Sequence, residues 1–365
     1  MSTERPKVVL LRGHGVTPWE LRPWELLADE FDVVCLVTNR NRFSRESLAL
    51  PVERIRTVRD VLPRGRFGDL AVLGPGDRYL SLKERLVDAD IVHSLELGVP
   101  WSGQPAALRR KLGFRLVLTV WETIPLLDAY RHFRGRAYRR AAIKETDLFL
   151  ATTERARDTL VLEGVDRARI EVCPPGIDVE WFAALERRPE VVVSAGRLVW
   201  EKGHQDVLRA LAAIRGGVVE GIAPKLLVVG SGPERERLWR HARDLGVADL
   251  LEITSLSYEA MPSVYARASA LVLASLPTPL WEEQFGMVLA EAMAAGVPVL
   301  AAESGAIPQV VRGNGTLFPP GDWVALARLL AKPSLPTAPP ELVAEYSIAA
   351  AAERLARAYL RVLAE

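Results

Sequence analysis

Short β-branched segments alternate with helical segments along the whole chain, and this alternation limits the possible folds more than any other feature. Several segments are continuous apolar runs, as expected for parallel strands that are covered on both faces. The pattern predicts a doubly wound α/β architecture. In the first half the predicted strands are Lys7–Arg12, Asp32–Thr38, Asp90–Leu95, Arg115–Trp121, Leu148–Thr152 and Arg169–Cys173. In the second half they are Val191–Ala195, Lys225–Val229, Leu251–Thr254, Ala270–Ala274, Val297–Ala301 and Thr316–Phe318.

The length of the chain predicts two domains, because 365 residues exceed the usual size of a single hydrophobic core. The strand–helix pattern restarts near Val191, after the breaker sequence Pro174-Pro175-Gly176. We therefore expect a first domain over 1–175 and a second over 176–345. An amphipathic helix predicted over Glu341–Ala364 supplies a last segment, 346–365.

The composition is that of an ordinary soluble globular protein, with 49% hydrophobic and 25% charged residues. A net charge of +1 gives no global field that would favour nucleic acid. The two cysteines, Cys35 and Cys173, lie in strand-like runs and form no disulfide framework or CxxC metal site. The amino terminus leads straight into a strand, without a signal peptide. We expect a cytoplasmic protein with no nucleic-acid partner.

Basic residues are concentrated between positions 101 and 150, where 10 basic residues face 4 acidic ones. The excess centres on the segment 131–144. Its basic residues are Arg131, Arg134, Arg136, Arg139, Arg140 and Lys144. One interpretation is a solvated helix face. The other is docking to an acidic acceptor or to an anionic membrane leaflet, which would place the protein peripherally on the inner face of the membrane.

The strongest functional pattern is the stretch 277–299. A loop containing Glu283 leads into a predicted helix that starts near Gly286, carries Glu291 and stops at Gly296-Val297-Pro298. The free amides at the start of a helix attract anions. Carboxylates accept hydrogen bonds from sugar hydroxyls. The stretch therefore predicts a ligand that has both phosphates and hydroxyls, although a surface pair of glutamates remains the plain alternative.

Other polar residues also follow predicted strands, where α/β sheets bind their ligands. Arg197 and Lys202, bracketed by Gly196 and Gly203, suit a diphosphate, and a further glycine turn follows at Gly230. Loop tryptophans such as Trp19 can pack against sugar rings. His93, Trp121 and Glu122 follow strands in the first half, where a substrate role and a structural role are both open.

Two familiar types of site are disfavoured. Gly13-His14-Gly15 lacks the third glycine of a dinucleotide fingerprint, and the strand Asp32–Thr38 is not followed by an acidic residue, so nicotinamide chemistry is not expected. The acidic pair in Asp88-Ala89-Asp90 precedes a strand, at the edge away from the expected crevice. The sequence has no His/Cys cluster, HExxH, Walker loop or GxSxG motif. We expect neither a bound metal nor another cofactor.

These motifs together resemble the retaining glycosyltransferases of the family 4 type, which have the GT-B fold. The matching residues extend over most of the chain. They are Gly13-His14-Gly15, Ala89–His93, Ala151–Glu154, Pro174–Asp178 through Phe182, Gly196–Leu198 with Glu201–Gly203, Gly230–Pro233, and Glu283–Gly286 through Glu291–Val299.

The resemblance implies two Rossmann-like domains that face a central cleft, with a C-terminal helix that crosses back to the N-terminal domain. It also implies a metal-independent transfer of a hexose from a nucleotide-diphosphate sugar to a hydroxyl acceptor. That acceptor could be a glycan, a lipid-linked molecule or a small molecule. The implied catalytic residues are Arg197, Lys202 and Glu283. The implied donor-binding residues are Gly13, Gly15, Gly196, Gly230, Phe285, Gly286, Met287, Val288 and Glu291. The residues expected on the acceptor side are His14, Trp19, His93, Trp121 and Glu122.

Two departures from the family pattern leave questions open. Thr254-Ser255 stands where an aromatic-x-Gly turn is usual, so the nucleotide base is not assigned. Trp121-Glu122 stands where many relatives place a histidine, so the group nearest the acceptor is open. The alternatives are a sugar-nucleotide epimerase of the same fold and a sugar-nucleotide-binding protein without catalysis. No pattern supports the pyridoxal lysine of a phosphorylase.

Overall fold

A computed structural model of the chain describes residues 5–13, 15–41, 48–62, 65, 72, 76–127 and 135–365. The chain forms two compact units. The first consists of Met1–Gly176 and Ile348–Glu365, and the second is Ile177–Ser347. The ranges expected from the sequence were 1–175, 176–345 and 346–365. Among the described residues, no helix has the length and apolar character needed to cross a lipid bilayer.

The first unit contains a parallel sheet of seven strands in the order β3-β2-β1-β4-β5-β6-β7. The strands are β1 (Lys7–Leu11), β2 (Asp32–Thr38), β3 (Val52–Ile55), β4 (Ile91–Leu95), β5 (Arg115–Val120), β6 (Leu148–Ala151) and β7 (Ile170–Val172). The helices are α1 (Pro18–Glu25), α2 (Val58–Val61), α3 (Leu82–Arg85), α4 (Pro100–Leu112), α5 (Gly135–Glu145) and α6 (Glu154–Leu162). Because β1 pairs with β2 on one side and β4 on the other, the strand order reverses beside β1. A crevice suited to ligands therefore lies between the carboxyl ends of β1 and β4.

Both faces of this sheet are covered, as alternate residues of β1 show. Val9 and Leu11 belong to one buried cluster, while Val8 and Leu10 belong to another. The predicted strands of the first half are all present. The sequence did not predict β3, because among the described residues this edge strand pairs with β2 alone and carries the exposed residues Glu53 and Arg54 rather than an apolar run.

The second unit contains a parallel sheet of six strands in the order β10-β9-β8-β11-β12-β13. The strands are β8 (Val191–Ala195), β9 (Leu226–Val229), β10 (Leu251–Thr254), β11 (Ala268–Leu273), β12 (Val299–Ala302) and β13 (Thr316–Phe318). The helices are α7 (Val179–Ala183), α8 (His204–Arg215), α9 (Arg235–Asp244), α10 (Met261–Ala266), α11 (Met287–Ala294), α12 (Ile307–Val311), α13 (Trp323–Leu330) and α14 (Pro340–Ala344). The predicted doubly wound α/β class is confirmed.

The prediction of one helix over Glu341–Ala364 is wrong, because the segment is broken between α14 and the last helix, α15 (Ile348–Ala364). The break is fixed by Tyr346. Its carbonyl accepts the Ile177 amide at 2.7 Å and its hydroxyl donates to the Val310 carbonyl at 2.8 Å. These bonds hold the end of the second unit beside its beginning.

Helix α15 belongs to the first unit and packs against α1. The indole Nε1 of Trp24 donates to the hydroxyl of Tyr359 at 2.8 Å, in the interior of the unit. Ala352, Leu355 and Val362 extend the apolar face of α15 into the same core. The carboxyl-terminal residues therefore complete the fold of the amino-terminal unit.

Candidate functional site

The second unit brings two predicted catalytic residues into direct contact. Nζ of Lys202, in the loop after β8, donates to Oε2 of Glu283 at 2.7 Å. The hydroxyl of Ser275, just after β11, donates to the same oxygen at 2.8 Å. Nζ also lies 5.1 Å from the centre of the Trp281 ring, a cation–π distance. The predicted pair therefore forms one fixed group with Ser275 and Trp281, two residues to which the sequence analysis gave no role in binding this pair.

The main chain at Glu283 is held as firmly as its side chain. Its carbonyl accepts the amide of Ala306 at 2.8 Å. Gly305 has φ +55°, and a Cβ at that position would lie 2.1 Å from the Glu283 oxygen. Only glycine allows this approach, so the loop after β12 supports the position of Glu283.

The start of α11 has the form expected from the sequence. Gly286 has φ +83° and precedes the first helical residue without a side-chain cap. The amides of Met287 and Val288 therefore lack acceptors within the helix and carry its positive end. Phe285 is buried, and its ring packs edge-on against Tyr346 at 5.5 Å. This anchoring fixes the direction in which the helix begins.

Glu291 is buried in α11 and accepts two tyrosine hydroxyls. Tyr265 donates to Oε2 at 2.7 Å and Tyr258 donates to Oε1 at 3.2 Å. Burial raises the pKa of Glu291, and the two hydrogen bonds oppose that rise. Neither tyrosine contact was predictable from the sequence, because each tyrosine is far from Glu291 along the chain. A ribose contact by Glu291 stays a prediction, and the ribose would have to share or displace one tyrosine.

The glycines after β8 and β9 are required by close packing of the main chain. A Cβ at Gly230 would lie 1.8 Å from the carbonyl oxygen of Gly196. The two φ angles, +151° for Gly196 and +159° for Gly230, also favour glycine. These turns at neighbouring strand ends therefore contact each other directly. Donor contacts by the two glycines stay predictions.

Arg197 has a fixed main chain and an exposed side chain. Its carbonyl accepts Nε2 of His204 at 3.2 Å, and Nδ1 of His204 pairs with the Ser194 hydroxyl at 2.8 Å. Burial lowers the pKa of His204 to about 4, so the ring is neutral near pH 7 and donates from Nε2. Within the described parts of the chain, the guanidinium of Arg197 makes no hydrogen bond or ion pair. His204, which was not predicted as a functional residue from the sequence, thus supports the loop that carries Arg197.

In the first unit, the predicted turn after β1 is held from both sides. Gly13 has φ +49°; its amide donates to the Tyr79 hydroxyl at 3.0 Å, and its carbonyl accepts the amide of Thr38 at 2.9 Å. A Cβ on Gly15 would meet nothing within 4 Å, so that position does not need glycine for space. His14 lies outside the described residues. Trp19 is half-buried, with the Arg22 guanidinium 5.3 Å from its ring centre.

His93 lies at the carboxyl half of β4 and is fully buried. Nδ1 pairs with the Tyr359 hydroxyl at 2.6 Å and Nε2 pairs with the Thr119 hydroxyl at 2.7 Å. Burial lowers the pKa of His93, and the nearby charge of Arg12 lowers it further. An acceptor contact by His93 stays a prediction, and it would have to replace one of these hydrogen bonds.

Trp121 and Glu122 begin the loop after β5. The amide of Trp121 donates to Oε1 of Glu96 at 2.9 Å. Oε1 of Glu122 accepts the amides of Thr123 and Ile124, both at 2.8 Å. Glu96 therefore fixes the start of the loop and Glu122 shapes its first turn. Burial raises the pKa of Glu96 to about 7, and the charge of Glu122 contributes to that rise.

The basic segment is only partly a solvent-facing surface. Within α5, Arg136, Arg140 and Lys144 are exposed. Arg139 is buried and forms an ion pair with Glu163, so it is part of the interior. Arg131 and Arg134 lie outside the described residues. Membrane contact through this segment stays a prediction.

The acidic pair before β4 has structural partners. Oδ2 of Asp90 accepts the amide of Lys7 at 2.7 Å, and Asp88 pairs with the Lys7 ammonium at 2.6 Å. These carboxylates fix the amino end of β1. Among the described residues, no group of three or more His, Cys, Asp or Glu side chains could hold a metal ion. Metal independence itself stays a prediction.

Comparison with known proteins identifies the family. The model for "Glycosyltransferase Family 4" matches residues 24–181, and the model for "Glycosyl transferases group 1" matches residues 180–334. A 2-deoxystreptamine N-acetyl-D-glucosaminyltransferase of Streptomyces fradiae is 30% identical over 318 residues, which cover 78% of this chain and 73% of that protein. The chain belongs to glycosyltransferase family 4. The predicted resemblance is thereby confirmed.

Other similarities cover less sequence or carry only the fold. A GDP-mannose-dependent phosphatidylinositol monomannoside mannosyltransferase of Mycobacterium tuberculosis is 37% identical over 164 residues, 41% of this chain. The match spans only 42% of the length of that relative. The crystal structure of HepE from Anabaena, in complex with UDP and glucose, has a TM-score of 0.72 at 17% identity, covering 97% of this family 4 chain and 99% of HepE. This likeness shows the fold alone.

Proposed function

We propose that this family 4 protein is a retaining, metal-independent glycosyltransferase. It transfers a hexose from a UDP- or GDP-hexose to a hydroxyl group of a glycan, a lipid-linked molecule or a small molecule. The contact between Lys202 and Glu283 carries the proposal, because it places a largely buried cation and a buried carboxylate in one fixed group. A diphosphate binds to the cation, and sugar hydroxyls donate hydrogen bonds to the carboxylate.

The reaction breaks the bond between the anomeric carbon and the β-phosphate oxygen, and forms a bond from that carbon to the acceptor oxygen. The nucleoside diphosphate leaves with the bonding electron pair, and its departing phosphate oxygen takes the proton from the acceptor hydroxyl. Negative charge grows on the β-phosphate during this step. Lys202, Arg197 and the first amides of α11 stabilise that charge, since preorganised donors need no rearrangement during reaction.

Glu283 orients the donor sugar. Its Oε2 is occupied by Lys202 and Ser275, and neither of these bonds involves Oε1. Oε1 accepts a sugar hydroxyl in the proposed complex. Retention follows from attack on the same face of the sugar, assisted by the departing phosphate, and no side chain is assigned as a nucleophile. Glu291 accepts a ribose hydroxyl of the nucleotide.

The relatives support this class of donor and acceptor without fixing either. By their names, one uses GDP-mannose and phosphatidylinositol monomannoside, and another transfers N-acetyl-D-glucosamine to 2-deoxystreptamine. For this chain we propose a hydroxylated acceptor that meets the loop of Trp121 and Glu122. The exposed cations of α5 are proposed to assist when the acceptor is presented at an anionic membrane.

The first experiment measures thermal stabilisation by UDP-, GDP-, ADP- and dTDP-hexoses in the presence of EDTA. A ligand that binds only the folded state raises the melting temperature by mass action. We expect one nucleotide to stabilise the protein without metal, and the stabilised pair then to transfer its sugar to an added hydroxyl acceptor. NMR of the product should give the same anomeric configuration as the donor.

Two lysine variants make the assay specific. Lys202→Ala should lose donor stabilisation and turnover. Lys225→Ala removes an exposed lysine at the amino end of β9 and should retain both. Stabilisation that requires a divalent metal, or a Lys202→Ala protein with full activity, would refute the proposed site. Conversion of the donor without any acceptor would instead indicate an epimerase.

A further inference from the structure

The second unit has a groove between α8 and α9 that takes no part in the proposed transfer site. Its volume is about 380 Å³, and its lining extends from Trp200 to Asp244. Neither Lys202 nor Glu283 lines it. Helix α9 leads back from the carboxyl end of β9 toward the start of β10, and its 10 residues rise about 15 Å. Asp244 therefore lies toward the edge of the sheet opposite to Lys202, and the groove is a separate place for a ligand.

An exposed indole lines one end of this groove. Trp200 is 52% exposed, and its carbonyl accepts Nε2 of the buried Gln205 at 3.1 Å. The main chain of Trp200 is thus fixed while its ring faces solvent. An indole has a broad apolar face and a polar N–H, so it can pack against a sugar ring and donate to a hydroxyl. A single exposed aromatic residue is ordinary on a protein surface, but this one borders a cavity.

The charged groups of the groove balance one another. Three guanidinium groups and two carboxylates line it: Arg209, Arg237, Arg240, Glu234 and Asp244. A third carboxylate, the buried Asp206, pairs with Arg209, and Arg237 pairs with Glu234 at 2.7 Å. These groups leave no net charge to attract a phosphate or a cation, although they supply both donors and acceptors. The lining therefore favours a neutral ligand with many hydroxyl groups.

Three polar side chains of the groove have unused hydrogen-bonding capacity. Nε2 of His241 is buried and has no hydrogen-bond partner among the described residues. Burial lowers the pKa of this ring and the charge of Arg209 lowers it further, so the ring is neutral near pH 7. The side chains of Arg240 and Asp244 are exposed and form no hydrogen bond or ion pair with any described residue. Hydroxyl groups, which both donate and accept, suit all three.

We propose that this groove binds a neutral carbohydrate. One sugar ring packs against the indole of Trp200, and hydroxyls of the same or the next ring bond to Arg240, Asp244 and His241. The volume falls in the range of small-molecule sites, about 300–1,000 Å³. Such a site is additional to the transfer site and does not depend on it. A glycan held there stays close to the enzyme, which raises its effective concentration.

The test uses four neutral disaccharides: maltose, cellobiose, α-1,6-mannobiose and chitobiose. The background protein is the full chain with Lys202→Ala and Glu283→Ala, without nucleotide, so that the proposed transfer site cannot bind a sugar. Tryptophans are replaced by 5-fluorotryptophan, and the fluorine resonance of Trp200 is assigned by its absence from Trp200→Phe. We expect at least one disaccharide to shift this resonance and to show saturation transfer from the protein.

Variants of the lining assign the binding to the groove. Trp200→Ala should weaken saccharide binding about tenfold, and Arg240→Ala about threefold, as measured by saturation transfer. Arg243→Ala removes an exposed arginine of the same helix that does not line the groove, and it should bind as the background does. Equal melting temperatures of the three variants would show that each is folded.

Three results would overturn the proposal. They are the failure of all four disaccharides to bind, equal affinity in Trp200→Ala and Arg243→Ala, and displacement of the saccharide by millimolar inorganic phosphate, which would indicate an anion site. Each leaves nucleotide-sugar stabilisation of the unaltered chain as expected. Failure of the proposed function removes that stabilisation but leaves saccharide binding in the background protein unchanged, so the two failures are distinguishable.

Discussion

The ammonium of Lys202 lies 2.7 Å from Oε2 of Glu283, and both side chains are largely buried, with 14% and 9% of their side-chain surface exposed. Each residue therefore satisfies the charge of the other before any ligand is present. In the proposed complex, a donor diphosphate would compete with the Glu283 carboxylate for the Lys202 ammonium. The hydrogen bonds to Lys202 and Ser275 therefore hold the Glu283 carboxylate in one position.

This pairing predicts that single substitutions cost more stability than the double one. Lys202→Ala and Glu283→Ala should each abolish turnover and each lower the free energy of unfolding by about 1–3 kcal/mol, because a buried partner is left unsatisfied. Lys202→Ala/Glu283→Ala should lose less than the sum of the two. Urea unfolding of the four proteins gives the coupling energy. Additive losses would contradict the pairing.

The packing of glycines predicts a contrast between two alanine substitutions. Gly230→Ala should destabilise the second unit by about 2 kcal/mol or more, since the new Cβ would lie 1.8 Å from the Gly196 oxygen and the main chain must move. Gly15→Ala adds the same methyl group in open space and should leave the melting temperature unchanged. Calorimetry of the two variants checks this, and equal losses would show that the turns do not pack as described.

The raised pKa of Glu96 predicts that the stability of the protein depends on pH. Burial raises the pKa of this carboxyl from its ordinary value of 4.5 to about 7 in the folded protein. The folded state thus holds the proton more tightly than the unfolded chain. The stabilising contribution of Glu96 is fully present below about pH 4.5 and is lost as the pH rises through about 7. The stability of Glu96→Gln relative to the unaltered protein should therefore be greater at about pH 8 than at about pH 5.

Urea midpoints of both proteins at the two pH values measure this difference. Glu84→Gln alters an exposed glutamate of α3 and should change the two midpoints equally, which makes it the matched control. A Glu96→Gln protein whose stability relative to the unaltered chain does not vary with pH would show that Glu96 titrates normally.

The hydrogen bonds of the Tyr359 hydroxyl predict how firmly α15 is attached to the rest of the first unit. Tyr359→Phe keeps the ring but leaves Trp24 Nε1 and His93 Nδ1 without their partner, so the first unit should lose about 1–3 kcal/mol. Hydrogen exchange of the α15 amides should accelerate. Tyr346→Phe removes a hydroxyl bonded to Val310 in the second unit and should leave α15 exchange unchanged. Unchanged exchange in Tyr359→Phe would mean that the apolar packing of α15 and the contacts of Arg361 with Glu171 and Ala168 attach the helix without this hydroxyl.

Much of the fold was predictable because parallel strands leave a strong local signal. Buried strands such as Val191–Ala195 are continuous apolar runs, and the helix of Glu291 has a glycine before it and after it. The edge strand β3 and the break at Tyr346 were not predictable. Their cause lies in pairing with distant residues, Cys35 to Thr38 for β3 and Ile177 for Tyr346.

The candidate site was predictable only in part. Lys202 and Glu283 follow the neighbouring strands β8 and β11, and both belong to recognisable motifs. Their proximity could therefore be predicted. Ser275, Tyr258, Tyr265 and His204 were missed because their partners are set by the tertiary fold.

The return of α15 makes the first unit a discontinuous domain, into which Ile177–Ser347 is inserted as one continuous piece. The two junctions of this insert are tied together where Ile177 pairs with Tyr346 and Ser347. Loss of α15 would therefore destabilise the first unit, although that unit consists mainly of amino-terminal residues. Proteolysis at the carboxyl terminus would expose the core beneath Trp24 while leaving the inserted piece, with Lys202 and Glu283, intact.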